Sequence, residues 1–163
     1  MVVILHNIRS LHNVGSIFRT SDAVGVEKLY LCGITAAPKD RFGEVQAPLA
    51  KVALGAENTV PWEKVSTTAR CIDLLKKQGF KIVALELAPS AVPYYELRAT
   101  RHALDKLALV VGAEVEGISP AILRKCDTII EIPMRGTKES LNVAVSFGVA
   151  AYQLSRALWR KKS

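Results

Sequence analysis

The stretch from Ile132 to Gln153 constrains the fold most, because a strand end, a polar loop and an apolar helix follow one another in it. It opens with the end of the apolar run 127–132, breaks at Pro133, crosses a polar loop and restarts at Ser140 as a helix. A serine hydroxyl can accept a hydrogen bond from a free amide of a first helical turn, so we expect Ser140 to be the N-cap. The helix is apolar on nearly every side, whereas a surface helix shows one apolar stripe. It must therefore be covered on more than one face, and a second subunit is one source of that cover.

Short apolar runs alternate with helical segments along the chain. The runs that we predict as strands are 2–5, 28–32, 59–62, 81–87, 107–111 and 127–132. The segments that we predict as helices are 13–24, 49–56, 66–78 and 119–125, followed by the closing helix from Ser140. Asn13 and Ser66 are the expected N-caps of the first and third of these, and Gly25 is the expected stop of the first. This alternation predicts the α/β class, with a mainly parallel sheet and helices on both faces. We expect one domain spanning residues 1–163.

The charge balance favours a polyanionic partner. The chain carries 22 Lys and Arg against 15 Asp and Glu, a net charge of +7. Phosphate backbones supply much of the affinity of proteins for nucleic acids. A mildly basic protein without any nucleic-acid partner is the alternative that charge alone leaves open.

Several classes of protein are disfavoured by what the sequence lacks. No apolar run approaches the roughly 18 residues that span a bilayer, and the first five residues lack the charged start of a signal peptide. We therefore expect a cytoplasmic protein with no membrane partner. Cys32, Cys71 and Cys126 form no CxxC pair and the histidines show no ligand spacing, so we expect reduced thiols and no metal. Neither GxGxxG nor GxxxxGK[ST] occurs, which disfavours the usual nucleotide-binding folds.

Three polar segments, 13–19, 112–117 and 133–142, each follow a strand-like run. Open α/β sheets bind ligands at the carboxyl ends of their strands, so these segments are the candidates for a site. Each also has an ordinary explanation when taken alone. Asn13 can be a helix cap and Arg19 a solvated helix residue.

The same segments contain three longer motifs. HNVGSIFRTSDAVG begins at His12, LVVGAEVEGI begins at Leu109, and IPM at Ile132 is followed by SLNVAVS at Ser140. In this order and spacing they resemble the three motifs of the SpoU (TrmH-like) RNA ribose 2′-O-methyltransferases, which belong to the knotted SPOUT class. The likeness covers nearly the whole chain.

The resemblance implies S-adenosylmethionine as the methyl donor and a ribose 2′-hydroxyl of RNA as the acceptor. It also implies a homodimer and a deep C-terminal trefoil knot. Carried over by position, it assigns cofactor binding, largely through backbone groups, to Leu85, Gly112, Ile132, Met134 and Leu141. A glycine at 112 suits that role, because a side chain there would keep the backbone away from a ligand.

The resemblance assigns the functional polar positions to Asn13, Arg19, Glu114, Ser140 and Asn142. Activation of the ribose hydroxyl is usually assigned to the arginine. A guanidinium, with a pKa above roughly 12, is a poor base near neutrality. We therefore expect Arg19 to bind a phosphate and to stabilise the developing negative charge, while the proton passes to phosphate, a carboxylate or water.

The sequence departs from the family's motifs at two places. Leu11 and His12 stand where many members have a proline, and Ala113 stands where the second motif often has asparagine. Neither change removes a residue with an assigned role. We also expect no N-terminal RNA-binding extension, because the first strand begins at Val2. RNA binding then falls on the 33–51 loop and on four basic residues near the C-terminus. These are Arg156, Arg160, Lys161 and Lys162.

The expected dimer follows from the closing helix. Ala144, Gly148 and Ala151 recur at spacings of four and three, so one side of this helix is nearly flat and permits close approach of another helix. We expect the closing helix and the first helix to form a two-fold interface that brings Arg19 near the partner's cofactor loop.

The resemblance implies a methyltransferase, and we expect it to act on transfer RNA, with ribosomal RNA as the close alternative. A catalytically silent RNA-binding relative is the rival from another functional class, and an unrelated nucleotide-binding α/β domain is the third reading. The presence of Arg19, Glu114, Ser140 and Asn142 argues against the silent relative.

Overall fold

Seven strands form a single parallel sheet in the computed structural model, which describes residues 1–97, 106–113 and 115–159. In chain order these are β1 (Val2–His6), β2 (Lys28–Cys32), β3 (Trp62–Val65), β4 (Lys81–Leu85), β5 (Val92–Pro93), β6 (Leu107–Gly112) and β7 (Thr128–Glu131). They lie in the order β3-β2-β1-β6-β4-β7-β5, and every neighbouring pair is parallel. All the strands therefore end at the same edge of the sheet.

Helices cover both faces of this sheet. They are α1 (Leu11–Val24), α2 (Ala47–Ala53), α3 (Ala56–Thr59), α4 (Thr68–Lys77), α5 (Pro120–Leu123) and α6 (Val143–Trp159). Val3 and Leu5 of β1 belong to a core with α1, α2, α3 and α6, whereas Val2 and Ile4 belong to a second core with α4 and α5. The period-2 alternation of a strand thus feeds two separate cores. The predicted α/β class, with helices on both faces, is confirmed.

The first helix begins earlier than the sequence predicts. Ser10, not Asn13, is its N-cap, because Ser10 Oγ accepts the Asn13 amide at 3.2 Å. The cap of α4 moves in the same way, from Ser66 to Thr67, whose hydroxyl accepts from an amide three residues on. Each site offers neighbouring polar side chains that can cap, and the backbone path selects among them. The predicted stop at Gly25 is confirmed, with φ at 75°.

The closing helix begins at Val143, so the predicted cap at Ser140 is wrong. Asn142 Oδ1 accepts the Ala144 amide at 2.9 Å, and this side chain satisfies a free donor of the first turn instead. Residues 133–142 consequently stay outside the helix and are available to line a cavity.

The predicted strand 59–62 is also misplaced. Thr59 ends α3, where its hydroxyl donates to Asp22 Oδ1 at 2.7 Å, and the strand runs over Trp62–Val65 instead. Residues 49–56, predicted as one helix, are divided between α2 and α3 because Leu54 has a left-handed backbone, with φ at 52°. Short polar-apolar mixtures of this kind carry no clear periodicity.

A glycine brings α2 close to α1. A Cβ atom on Gly15 would lie 2.6 Å from the carbonyl oxygen of Leu49. Only glycine allows this approach without a shift of one helix. The contact fixes the loop between β2 and α2 beside the first turns of α1.

Asp127 anchors the amino ends of β4 and β7. Its Oδ2 accepts from the Ile82 amide at 2.8 Å, and its Oδ1 lies 3.0 Å from Lys76 Nζ. Burial by itself raises the pKa of Asp127, but the Ile82 hydrogen bond and the Lys76 charge outweigh it, so the pKa lies below its usual value of 3.8. No helix in the described ranges is long and apolar enough to cross a membrane.

Candidate active site

A cavity of about 450 Å³ opens at the carboxyl ends of the neighbouring strands β6, β4 and β7. The strand ends, the 115–118 loop, the 131–141 segment and the first turns of α6 form its walls. Its volume lies within the roughly 300–1,000 Å³ of small-molecule sites. Its place, outside the carboxyl ends of parallel strands, is where open α/β sheets bind ligands.

All five residues that the sequence assigns to the cofactor line this one cavity. They are Leu85, Gly112, Ile132, Met134 and Leu141. Three separate strand ends and the approach to α6 supply them, so the fold gathers segments that are far apart in the chain. Their role in binding stays a prediction.

Gly112 is required by a neighbouring loop. A Cβ atom at this position would lie 2.6 Å from the carbonyl carbon of Gly117 and 2.8 Å from its oxygen. The loop folds back here because the Gly117 amide donates to the Ala113 carbonyl at 3.0 Å. From the sequence we expect Gly112 to allow the approach of a ligand, whereas the close contact in the structure is with the chain itself.

Glu86, which lies outside the three sequence motifs, joins two walls of the cavity. Its Oε2 accepts the Ile118 amide at 2.7 Å, and its Oε1 accepts the Leu87 amide at 3.0 Å. A Cβ on Gly117, where φ is +60°, would lie 2.5 Å from Glu86 Oε2. The sequence predicts a strand over 81–87, which places Glu86 inside it. In the structure β4 ends at Leu85, so Glu86 is a carboxylate directly after a strand end, and this position is the signal that could have identified it.

The cavity carries a negative lining. The carboxylate residues Glu86, Glu116, Glu131 and Glu139 are all among its lining residues. Glu116 lies 3.7 Å from Arg9, but both side chains are largely exposed, so this pair neutralises little. Such a lining attracts a ligand with positive charge. In the described part of the chain, no group of three or more His, Cys, Asp or Glu residues could hold a metal ion.

Two of the predicted polar residues meet at the entrance to α6. Asn142 Nδ2 donates to Asn13 Oδ1 at 3.1 Å, although 129 positions separate them in the sequence. The other amide atom of Asn142 caps α6, as described above. This pair therefore ties the first turn of α1 to the start of α6.

The other predicted polar residues lie apart from this pair. Ser140 lines the cavity. Arg19 is exposed on α1, does not line the cavity of its own chain, and forms no ion pair with any residue described in the structure. Glu114 lies outside the described residues, as do the basic residues at 160–162. Arg156 is exposed in the last turn of α6.

His6 ends β1 beside Gly112 and does not line the cavity. Its Nδ1 lies 2.6 Å from Thr68 Oγ1. Burial lowers the pKa of His6 below its usual 6.5, and the charge of Glu116 opposes this in part. His6 is therefore neutral near pH 7.

Helix α6 packs against α1 within the chain and leaves an apolar face exposed. The position of a Cβ on Gly148 is 3.8 Å from Thr20 of α1, so the small-residue side faces α1 of the same chain. Val145 and Tyr152, two turns apart, are 52% and 44% exposed, and Leu141 is 39% exposed just before the helix.

Comparisons with known proteins agree with these features. The model of the SpoU rRNA Methylase family matches residues 1–152. The 23S rRNA (guanosine-2′-O-)-methyltransferase RlmB of Neisseria meningitidis is 35% identical over 156 residues, which cover 96% of this chain and 58% of the relative. The crystal structure of the A. aeolicus TrmH/SpoU tRNA modifying enzyme is 34% identical with a TM-score of 0.80, covering 96% of this chain and 74% of that one. The AdoMet-bound rRNA methyltransferase of Sinorhizobium meliloti is 25% identical with a TM-score of 0.84, covering 98% and 57%.

The chain spans 58% of the length of the Neisseria relative and of the curated staphylococcal relatives that it also matches. The likeness to the curated relatives therefore concerns a little over half of each.

Proposed function

The chain belongs to the SpoU rRNA Methylase family, and on this premise we propose that it transfers a methyl group from S-adenosylmethionine to a ribose 2′-hydroxyl of RNA. One observation carries the proposal. The five positions that the family resemblance assigns to the cofactor, which are distant in sequence, line a single cavity at the carboxyl ends of β4, β6 and β7. The names of the relatives support it, since one is bound to AdoMet and another methylates the 2′-oxygen of guanosine.

The cavity fits this cofactor by its size, its lining and its charge. Leu85, Ile132 and Leu141 offer apolar contact, and the strand ends offer backbone groups for a nucleoside base. The acidic lining, which includes Glu131 and Glu139, favours a ligand that carries positive charge. When bound, S-adenosylmethionine supplies a methyl group that its sulfonium already activates, so catalysis mainly requires that donor and acceptor be aligned.

Arg19 serves the acceptor side in this proposal. Its guanidinium stays charged, so it binds a phosphate of the RNA and stabilises negative charge that develops on the ribose oxygen. The proton passes to phosphate, a carboxylate or water. Asn13, Asn142 and Ser140 hold the segments between Arg19 and the cavity in place, and the hydrogen bond between the two asparagines supports this role.

We propose further that two copies of the chain form a homodimer in which Arg19 of one copy serves the cavity of the other. Arg19 is exposed and away from its own cavity, so a second copy would complete the site. The exposed side chains of Val145 and Tyr152 on α6, and of Leu141 just before it, support the same arrangement, because an isologous contact would cover them. The family resemblance also supports a deep trefoil knot that includes the 133–142 segment.

Transfer RNA is the proposed substrate, in the cytoplasm, and ribosomal RNA is the alternative. The A. aeolicus structure is named as a tRNA modifying enzyme and the Neisseria relative as a 23S rRNA methyltransferase, so the relatives support both. The net charge of +7 suits either RNA.

Calorimetry and one variant test the proposal. S-adenosylmethionine and S-adenosylhomocysteine should bind, whereas NAD and ATP should not. The Arg19→Ala variant should lose methyl transfer and keep its cofactor affinity, because Arg19 does not line the cavity of its own chain. If neither sulfur ligand binds, with or without RNA, the proposal fails. Turnover by Arg19→Ala at the wild-type rate would remove the role given to Arg19.

A further inference from the structure

A short hairpin connects β2 to α2. Lys39 and Val45 form an antiparallel bridge that closes the segment 38–46, which we call the 38–46 hairpin. Asp40 Oδ1 accepts hydrogen bonds from the Phe42 amide at 2.8 Å and from a second amide of the turn at 3.0 Å. The Asp40 carboxylate is thus occupied by backbone amides, and the two hydrogen bonds stabilise the shape of the turn.

The tip of this hairpin presents an aromatic ring and a cation to solvent. Phe42 is 74% exposed. The Arg41 guanidinium carbon lies 4.6 Å from the centroid of the Phe42 ring and covers one of its faces. Arg41 has no ion pair with a carboxylate in the parts of the chain that are described. The opposite face of the ring is available for a flat partner.

The hairpin stands at the same edge of the sheet as the cavity. It follows the carboxyl end of β2, and all strands are parallel. Only β1 separates β2 from β6, so the two strand ends are about 10 Å apart at the usual strand spacing. His12 and Lys51 line a depression between α1 and α2 on this side, and Lys51 adds a positive charge near the hairpin.

We propose that the 38–46 hairpin binds an unpaired nucleotide of the RNA substrate, with its base stacked on the open face of Phe42. This inference rests on the proposed methyltransferase function and adds that the target lies close to a single-stranded loop or bulge. Unpaired bases stack on aromatic rings and on arginine planes, whereas the bases of a duplex are already stacked on one another. Arg41 beneath the ring adds positive charge near the backbone of that nucleotide.

Binding of two RNA probes to the Phe42→Ala variant tests this directly. We expect its affinity for a fluorescent oligouridine strand to fall roughly 5- to 150-fold, the range for the loss of one base–aromatic stack. We expect both proteins to bind a blunt RNA duplex more weakly than oligouridine, and the affinity of Phe42→Ala for the duplex should equal that of the wild type. The Phe42→Trp variant should restore binding. Leu74→Ala is the matched control, because Leu74 is 49% exposed on α4 at the opposite face of the sheet.

Two further measurements separate a stack from other uses of this tip. The salt dependence of oligouridine binding should keep its slope in Phe42→Ala, since the ring carries no charge. An oligouridine strand that contains 5-iodouridine should cross-link to Phe42 under light. Unchanged affinity in Phe42→Ala, or cross-links only elsewhere, would overturn the proposal. A shift of Phe42→Ala from dimer to monomer in sedimentation would also overturn it, because the ring would then contact a second copy of the chain.

The outcome is distinguishable from a failure of the proposed function. Binding of S-adenosylhomocysteine does not involve the hairpin, so Phe42→Ala should keep it. If the wild type methylates RNA and Phe42→Ala does so with the same KM, the hairpin inference fails and the methyltransferase stands. If the wild type binds oligouridine through Phe42 but never methylates RNA, the methyltransferase fails and the nucleotide site stands.

Discussion

Replacing Glu86 with alanine should separate two walls of the cavity. The carboxylate accepts one hydrogen bond from its neighbour Leu87 and one, at 2.7 Å, from Ile118 across the cavity wall. Hydrogen bonds to charged groups contribute about 1.5–3 kcal/mol. Only the bond to Ile118 joins distant segments, and Glu86 is half-buried, so we expect a loss of about 1.5 kcal/mol in the free energy of unfolding. Affinity for S-adenosylhomocysteine should fall as well, because the loop that carries Gly117 loses its tether.

Urea denaturation and calorimetry on three variants measure this effect. Glu86→Gln keeps an acceptor oxygen and should retain most of the stability that Glu86→Ala loses. Glu131→Gln removes the charge of another lining carboxylate, one without a side-chain hydrogen bond to the described residues, and should leave stability nearly unchanged. If Glu86→Ala has the same free energy of unfolding and the same affinity for S-adenosylhomocysteine as the wild type, the hydrogen bond between Glu86 and Ile118 does not stabilise the cavity and the reasoning is wrong.

Three further predictions concern packing, pH and assembly. Gly112→Ala should lower the free energy of unfolding by about 1–3 kcal/mol and weaken cofactor binding in calorimetry, because its Cβ would meet loop backbone within 2.6 Å; Gly136→Ala, with open space around it, should do neither. The pKa of Asp127 lies below 3.8 in the folded state, so its contribution of about 1 kcal/mol to the free energy of unfolding should be present above pH 3.8 and vanish as the pH falls further. The stabilities of the wild type and of Asp127→Asn, measured by urea titration, should therefore converge in acid. Val145→Asp should shift sedimentation from dimer to monomer and reduce methyl transfer, whereas Leu74→Asp should leave both unchanged.

The sequence predicts the central strands of this fold well, because continuous apolar runs identify them. Runs such as 2–5 and 107–111 have no polar residue, and a strand buried on both faces needs that pattern. The five residues predicted to bind the cofactor converge for a related reason. Parallel strands end at one edge of the sheet, so Leu85, Gly112 and the residues just after Glu131 meet there.

The details that the sequence does not predict depend on single hydrogen bonds. Ser10, rather than Asn13, caps α1, and Asn142, rather than Ser140, caps α6, since several neighbouring side chains have the same capping chemistry. The bond from Ile118 to Glu86 joins residues 32 positions apart. Local pattern contains no information on such a pair.

The measurement that tests the central claim most directly follows labelled methyl groups from S-adenosylmethionine into RNA. Unmodified tRNA and rRNA transcripts are incubated with the protein and then hydrolysed in alkali, which cleaves beside a free 2′-hydroxyl and not beside a methylated one. We predict that the label appears in alkali-stable dinucleotides and is absent with Arg19→Ala. Label in mononucleotides would indicate methylation of a base, and an absence of label from every RNA would contradict the assignment of the chain as a methyltransferase.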